Sequence, residues 1–277
     1  MAQPVSARGV ALRTAVVLAA GLLLLLLTLP ILSLFLRVPI GALVARLGEP
    51  IVLDALRLSL VTSASATVAV VVLGLPLAYL LAARDFPGKR AVEIVVDLPM
   101  VLPPTVAGFA LLLAFGRTGL AGRSLSAFGV SLPFTTLGVV VAQVFMAAPF
   151  FIAPARAGFA SVDRRFLEAA ATLRASESFT FFRVVLPLSV PSLVAGAVMA
   201  CARALGEFGA TITFAGNLPG RTQTMPLAVY IAMQSDFEAA VALSVLLLVV
   251  SAALLIGLRL SPVGSYWRRA NAPRDRL

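Results

Sequence analysis

The sequence predicts an all-α integral membrane protein with six membrane-spanning helices. Of its 277 residues, 60% are hydrophobic and only 12% are charged, and the mean hydropathy is +1.03. Soluble domains have an apolar fraction near one half, whereas a helix that crosses a bilayer needs about 20 predominantly apolar residues. Residues 1–277 are therefore expected to form a single transmembrane domain.

Six apolar runs are long enough to cross a bilayer. We predict spans at residues 14–36, 58–83, 91–115, 134–157, 187–209 and 239–260. The first run contains six consecutive leucines and ends at Leu36-Arg37. A signal peptide would have a shorter apolar region followed by a cleavage site with small residues, so we interpret this run as a retained helix.

The second and third runs contain residues with specific consequences for packing. The second begins with hydroxyl side chains, which let helices approach closely and hydrogen-bond across the contact: Ser59, Thr62, Ser63, Ser65 and Thr67. The third contains Asp97, Pro99, Pro103 and Pro104. A proline within a helix removes a hydrogen bond and kinks it. Paired packing and a role near the kink account equally well for Asp97.

A mixed stretch, residues 211–238, separates the last two spans. Within it, residues 222–234 are apolar but reach only about 20 Å as a helix, short of a bilayer core of roughly 30 Å. We expect a re-entrant or interfacial helix there. Residues 261–277 form a basic tail whose Tyr266 and Trp267 suit the membrane interface.

The distribution of basic residues predicts the orientation. With the N-terminus in the cytoplasm, fifteen of the 22 Lys and Arg residues lie on the cytoplasmic side: Arg8, Arg13, Arg84, Lys89, Arg90, Arg156, Arg164, Arg165, Arg174, Arg183, Arg259, Arg268, Arg269, Arg274 and Arg276. The remaining seven lie on or toward the outer side: Arg37, Arg46, Arg57, Arg117, Arg123, Arg203 and Arg221. The positive-inside rule therefore predicts that both termini are cytoplasmic.

The composition argues against several other functions. The net charge is +10, but the basic residues flank apolar runs and do not cluster with aromatic residues, which is the membrane pattern and not that of nucleic-acid binding. Histidine is absent and Cys201 is the single cysteine, so neither the usual base, nor a Cys-based metal site, nor an internal disulfide is available. We expect no metal and no cofactor. An intramembrane enzyme would need a convergent catalytic pair, and a non-transporting scaffold is the other remote alternative.

A glycine-containing segment, residues 216–222, superficially resembles a phosphate-binding loop. It is one residue shorter than that motif and has arginine in place of the lysine. We therefore expect no nucleotide site, and any energy must come from another subunit.

The polar segment 158–186 is expected to bind another protein. Asp163 and Glu168 suit the positive end of a short helix, and the alanines after Glu168 favour a helix that a partner can approach closely. Four phenylalanines are predicted to form an exposed binding patch: Phe166, Phe179, Phe181 and Phe182.

The spacing in this segment resembles the EAA loop of ABC-importer permeases. An acidic-Ala-Ala start is followed by a turn, a β-branched residue and Leu-Pro, at Glu168-Ala169-Ala170, Arg174, Val184 and Leu186-Pro187. The family has glycine at the turn, where a left-handed cap is favoured. Because arginine occupies this position, we predict a helix–turn–helix whose turn is not left-handed. Segment 158–186 is called the coupling loop below.

A second polar constellation begins at Arg203-Ala204-Leu205-Gly206-Glu207. Arg203 and Glu207 are one helical turn apart, so they either pair with each other or line the path or gate of an anion. Thr211, Thr213 and Asn217 follow and offer donors that would hold an oxyanion weakly.

Residues 203–217 together with Pro219-Gly220-Arg221-Thr222-Gln223-Thr224 and Pro226-Leu227 resemble molybdate ABC-transporter permeases, and less closely sulfate and thiosulfate permeases. The resemblance covers roughly residues 53–260. It implies a type I ABC-importer permease fold in a bacterial inner membrane, a homodimer, and two ATPase subunits that grip the loop between Glu168 and Arg174. It also implies a binding protein that delivers the oxyanion from outside. Sulfate, thiosulfate and tungstate remain alternative cargoes.

Overall fold

The structure, a computed structural model, describes residues 7–37, 41, 46 and 48–260, and every regular element in these residues is helical. The helices, numbered here in chain order, are α1 (Ala7–Arg37), α2 (Pro50–Ala83), α3 (Lys89–Val101), α4 (Pro104–Phe115), α5 (Gly122–Ala127), α6 (Thr136–Ala160), α7 (Arg164–Thr172), α8 (Glu177–Thr180), a π-helical turn (Phe181–Val185), α9 (Leu186–Leu205), α10 (Gly209–Phe214), α11 (Met225–Ser235) and α12 (Phe237–Leu260). The predicted basic tail, residues 261–277, lies outside the described residues.

Five helical segments of the described chain are long and apolar enough to cross a membrane: Arg13–Arg37, Pro50–Ala83, Thr136–Ala160, Glu177–Leu205 and Phe237–Leu254. They overlap five of the six predicted runs, and two of them begin well before the predicted start, at Pro50 instead of 58 and at Glu177 instead of 187. The chain is thus all-α and multi-pass, as the composition predicts.

The predicted third run, residues 91–115, is two shorter helices, α3 and α4, instead of one kinked helix. Leu102 and Pro103 between them are extended, with ψ of 132° and 133°. Each is followed by a proline, whose ring disfavours the α-helical conformation of the preceding residue. Because Pro103 and Pro104 also lack N–H groups, two helical hydrogen bonds cannot form, and the consecutive prolines break the helix.

The centre of the molecule is a bundle of α2, α6 and α9. Phe151 of α6 is fully buried in this core. A Cβ atom at Gly74 of α2 would lie 2.9 Å from Phe151 Cδ1, and one at Gly196 of α9 would lie 3.0 Å from Phe151 O. The two glycines therefore provide the space for this ring, as small residues do in closely packed membrane helices.

A second close contact joins α4 to α10. A Cβ atom at Gly108 would lie 2.7 Å from both Ala210 O and Thr213 Cβ. Both are backbone or β-carbon atoms that cannot rotate away, so the α4–α10 distance depends on a glycine at this position.

We expect the substitution Gly108→Ala to separate α4 from α10 and to destabilise the protein by about 1–3 kcal/mol, the usual cost of overpacking. The thermal unfolding midpoint in detergent measures this effect. Gly21→Ala is the matched control, because a Cβ at Gly21 of α1 has no atom within 4 Å and alanine is the better helix former. Equal midpoints for the two variants would show that the contact is not tight.

Helices α11 and α12 pack against each other and against the start of α2. Helix α11 has 11 residues and lies in the mixed stretch, where we predict a re-entrant or interfacial helix over residues 222–234. Its connection to α12 is held by Asp236, which accepts a hydrogen bond from Ala239 N–H and lies 2.9 Å from Arg46. The Ala239 N–H first, and the Arg46 guanidinium after it, hold the pKa of the Asp236 carboxyl below its ordinary range.

Candidate functional site

The coupling loop folds into two helical pieces separated by a break, as predicted. Asp163 caps α7 and its Oδ1 accepts a hydrogen bond of 2.9 Å from Arg165 N–H. Ser176 caps α8 in the same way, through Phe179 N–H at 3.2 Å. The π-helical turn then continues α8 into α9. Such turns inside helices frequently occur at functional sites.

Most of the predicted coupling residues lie at the surface. Glu168 and Ala169 of α7 are exposed, as is Pro187 in the first turn of α9. Ala170 is buried and Leu186 is half-buried. The exposed side of α7 is thus available to a partner, while Ala170 packs under it.

The prediction for the turn at Arg174 is wrong. Arg174 has φ 52° and is left-handed. Ala175 N–H donates to Ala170 O at 3.0 Å, and Arg174 N–H donates to Ala171 O at 2.9 Å. These two bonds form a Schellman motif, which requires a left-handed residue after the helix. The hydrogen bonds to the last carbonyls of α7 therefore outweigh the strain that a side chain adds at this position.

We expect Arg174→Gly to stabilise this turn by about 1 kcal/mol, because a left-handed conformation costs an L-residue about 1–2 kcal/mol and costs glycine almost nothing. Local hydrogen exchange at Arg174 and Ala175 N–H measures the gain. Gly88, which has φ 88°, provides the reciprocal control, since Gly88→Ala should destabilise its own turn. A several-fold rise in both partner affinity and transport for Arg174→Gly would identify the arginine as a functional compromise, and slower exchange without that rise would identify it as a neutral variant.

Three of the four phenylalanines are exposed, with relative accessibilities of 52% for Phe166, 55% for Phe179 and 63% for Phe182. The prediction for Phe181 is wrong, because its ring packs 4.5 Å from Tyr79 of α2 and 6.2 Å from Phe159 of α6. Phe181 anchors the loop to the bundle instead of extending the exposed patch. The π-helical turn brings it there, and its position in the sequence gives no sign of that.

An apolar cavity of about 580 Å³ opens between the two pieces of the loop. Phe166, Leu173, Phe179 and Val184 line it, together with Ala169 and Ala170 of α7. A cavity of this size lies in the range of ordinary ligand pockets and has room for an apolar side chain of another protein.

An exposed ion pair also ties the coupling loop to the end of α2. Arg84 Nη2 lies 3.0 and 2.9 Å from the two carboxylate oxygens of Glu177. With Phe181 packed on Tyr79, this pair gives the loop two contacts with α2.

The Arg203–Glu207 pair is formed in the structure. Arg203 Nη1 lies 2.6 Å from Glu207 Oε2, outside hydrogen-bonding geometry, so this contact is an ion pair only. Glu207 is 1% exposed, and its Oε1 accepts a hydrogen bond of 2.7 Å from Ala210 N–H at the start of α10. The Arg203 side chain is 23% exposed. Glu207 is therefore held inside, while Arg203 reaches toward the surface.

The three candidate donors differ in their environments. Thr211 is fully buried, and its Oγ1 has no hydrogen-bond partner among the described residues. Thr213 Oγ1 donates to Gly209 O at 2.9 Å, and Asn217 is half-buried with its Oδ1 unpartnered in the described chain. The fifth predicted span, 187–209, ends earlier, at Leu205, because the chain turns before α10.

The segment 216–222 forms a turn in which three hydrogen bonds meet at Leu218 O. Leu218 O accepts hydrogen bonds from the N–H groups of Arg221, Thr222 and Gln223 at 3.0, 2.8 and 3.0 Å. A phosphate loop needs such N–H groups free to contact the ligand, and in this turn they are used by the protein.

The partners of several polar side chains in α2 and α3 could not be predicted from the sequence. Glu93 of α3 pairs with Arg156 of α6 at 2.9 Å, and Asp97, one turn further along α3, is exposed. Ser59 of α2 is buried, and its Oγ accepts a 2.7 Å hydrogen bond from Met225 N–H at the start of α11. The hydroxyl-rich start of the second run was the available signal for this contact.

Comparison with known proteins gives a consistent result. Residues 71–260 match the family described as "Binding-protein-dependent transport system inner membrane component". The chain is 42% identical over 238 residues to the "Molybdenum transport system permease protein ModB" of Mycobacterium tuberculosis, which covers 86% of this chain and 90% of the relative. It is 42% identical over 183 residues to the ModB protein of Escherichia coli K12, covering 66% and 80% of the two chains. The "Probable transport system permease protein NifC" of Clostridium pasteurianum is 38% identical over 205 residues, covering 74% and 72%.

Two solved structures have a similar fold. One is a bacterial ABC transporter involved in the import of the acidic polysaccharide alginate, with a TM-score of 0.76, 17% identity and coverage of 94% and 96% of the two chains. The other is a bacterial alginate ABC transporter in complex with a periplasmic protein, with a TM-score of 0.75, 17% identity and coverage of 91% and 93%. At this identity the likeness concerns the fold alone.

Proposed function

Because the chain belongs to the family of binding-protein-dependent transport system inner membrane components, we propose that it is the permease subunit of an ATP-driven importer of a tetrahedral oxyanion, molybdate. The observation that carries this function is the 42% identity, over 86% of the chain, to a molybdenum transport permease. The family match spans residues 71–260 and so includes both the coupling loop and the 203–217 segment.

We propose that the coupling loop binds a separate ATPase subunit, one for each copy of the permease in a homodimer. The exposed α7 surface at Glu168 and Ala169 and the apolar cavity between Phe166 and Phe179 support this role. Movement of the loop would be transmitted to α2 by the Phe181–Tyr79 contact and to α9 by the π-helical turn.

The proposed orientation places both termini and the coupling loop in the cytoplasm. Six crossing segments are needed, and α3 with α4 supplies the one that is not a single long helix. Helix α3 has 13 residues and α4 has 12. At 1.5 Å per residue, the two helix lengths add to about 38 Å, compared with a bilayer core of about 30 Å. The binding protein that delivers the oxyanion then docks on the opposite side.

For the translocation path, we propose that Arg203 faces the anion and that Glu207 positions it. Arg203 is the more accessible of the two, and Glu207 fixes both the guanidinium and the start of α10. Alternating access in the dimer would expose this pair first to one side of the membrane and then to the other. Weak binding suits this role, because the anion must also leave.

Molybdate, tungstate and sulfate have the same charge and shape, so selection between them falls mainly on the binding protein. The test is reconstitution of the permease with its ATPase and binding protein in vesicles, followed by ATP-dependent uptake of labelled molybdate. We expect an excess of unlabelled molybdate to displace the label at least tenfold more effectively than the same excess of sulfate.

Vesicles that contain the ATPase and binding protein without the permease are the control. Equal displacement by sulfate would contradict the molybdate assignment and leave an oxyanion importer. Uptake that does not depend on ATP, or that is the same without the permease, would contradict the transport function itself.

A further inference from the structure

A cavity of about 600 Å³ lies where α4 ends, α6 begins and the 216–224 segment turns. Its walls include Leu112, Arg117, Ser131, Phe134, Thr135 and Arg221. None of these residues belongs to the coupling loop or to the Arg203–Glu207 pair. In the proposed orientation the cavity opens on the outer side.

The charge in this cavity is positive and uncompensated. Arg117 and Arg221 are exposed, and neither has an ion-pair partner within the described residues. By contrast, Arg46, Arg84, Arg156 and Arg203 each lie within 3.1 Å of a carboxylate oxygen. The sequence explains the difference, because residues 98–162 and 208–235 contain no Asp or Glu.

The walls of the cavity are held in place by specific contacts. Phe134 has φ 60°, a conformation that is unusual for a bulky residue. Its ring lies against Gly216, where a Cβ atom would come within 3.0 Å of Phe134 Cδ1. Thr136 Oγ1 donates a 2.8 Å hydrogen bond to Arg221 O. The two loops are thereby joined, and strain of this kind is concentrated at functional sites.

We propose that this cavity is an outer binding site for a tetrahedral divalent oxyanion, held by Arg117 and Arg221. Guanidinium groups bind oxyanions through parallel N–H···O bonds, and Ser131 adds a hydroxyl group to the wall. The assignment of the cavity to the outer side and to this cargo rests on the proposed function. The charge and the shape of the cavity do not.

The size of the cavity indicates weak binding. A cavity of about 600 Å³ is much larger than one small anion, so the bound anion keeps much of its hydration shell. A positively charged concave site of this kind raises the local concentration of an anion without binding it tightly.

The test measures protection of arginines from phenylglyoxal in the full chain, purified in detergent without a binding protein. Peptide mass spectrometry gives the modification rate of each arginine with sulfate or molybdate at millimolar concentration, and with chloride at the same ionic strength. We expect either oxyanion to slow modification of Arg117 and Arg221 at least threefold relative to chloride. Arg123 is the internal control, because it is exposed in the neighbouring α5 and does not line the cavity.

Variants make the result specific. Arg117→Gln should abolish the protection of Arg221, whereas Arg123→Gln should leave it intact. Equal protection of Arg123 would show that the oxyanions act by ionic screening and would contradict the proposed site. Protection that occurs only when the binding protein is added would also contradict it, because the arginines would then belong to a docking surface. If uptake is ATP-driven but Arg117 and Arg221 are not protected, the site is wrong and the importer function stands. If the two arginines are protected but molybdate is not taken up, the site is supported and the proposed function is wrong.

Discussion

Replacement of Glu207 by alanine is expected to destabilise the protein by about 1–3 kcal/mol and to reduce oxyanion uptake at least tenfold. The carboxylate is 1% exposed and lies 2.6 Å from Arg203, and its removal leaves the partly exposed guanidinium without a counter-charge. The Ala210 N–H at the start of α10 also loses its acceptor. The thermal unfolding midpoint and ATP-driven uptake at equal amounts of inserted protein measure the two effects.

The double variant Arg203→Met/Glu207→Gln separates packing from transport. Glutamine keeps an acceptor for Ala210 N–H, and no unpaired charge remains. We therefore expect the free energy of unfolding to return to within about 1 kcal/mol of that of the parent protein. Uptake should stay low, because the guanidinium is missing from the path. If uptake recovers together with stability, the pair serves packing alone and the path role of Arg203 is wrong.

Replacement of Glu168 by lysine is expected to reduce ATP-driven uptake at least tenfold and to weaken copurification of the ATPase. Glu168 is exposed on α7, and reversal of its charge places a repulsive group where an attractive one is proposed to meet the partner. Folding should be unaffected, because surface substitutions usually change stability by no more than about 0.5 kcal/mol. Pull-down of the ATPase and uptake in vesicles measure the two effects.

Glu238→Lys is the matched control for this variant. Glu238 is exposed in the first turn of α12, a different part of the chain, so the same change of charge should leave the ATPase bound. Normal uptake and normal copurification of Glu168→Lys would show that α7 is not the contact, and loss of binding in both variants would point to a general effect of charge.

The sequence by itself determined the all-α, multi-pass architecture. Hydrophobic length decides whether a segment can cross a bilayer, and this property belongs to each segment separately. The same holds for the helix caps at Asp163 and Ser176, since a cap depends on residues two or three positions away. The short α11 was predictable for the same reason.

Only the tertiary structure decided the features that depend on two distant segments. The burial of Phe181 follows from its contact with Tyr79, which is remote in sequence. The left-handed Arg174 is different, because the hydrogen bonds that end α7 lie within residues 170–175, so local geometry decides it and the sequence-based prediction was wrong about that geometry. The cavity between Arg117 and Arg221 likewise joins loops about a hundred residues apart. Spacing along one chain describes local geometry and burial of apolar runs, whereas the pairing of charges, rings and glycines depends on which helices pack together. Which helices pack together depends on the sum of the contacts in the whole bundle.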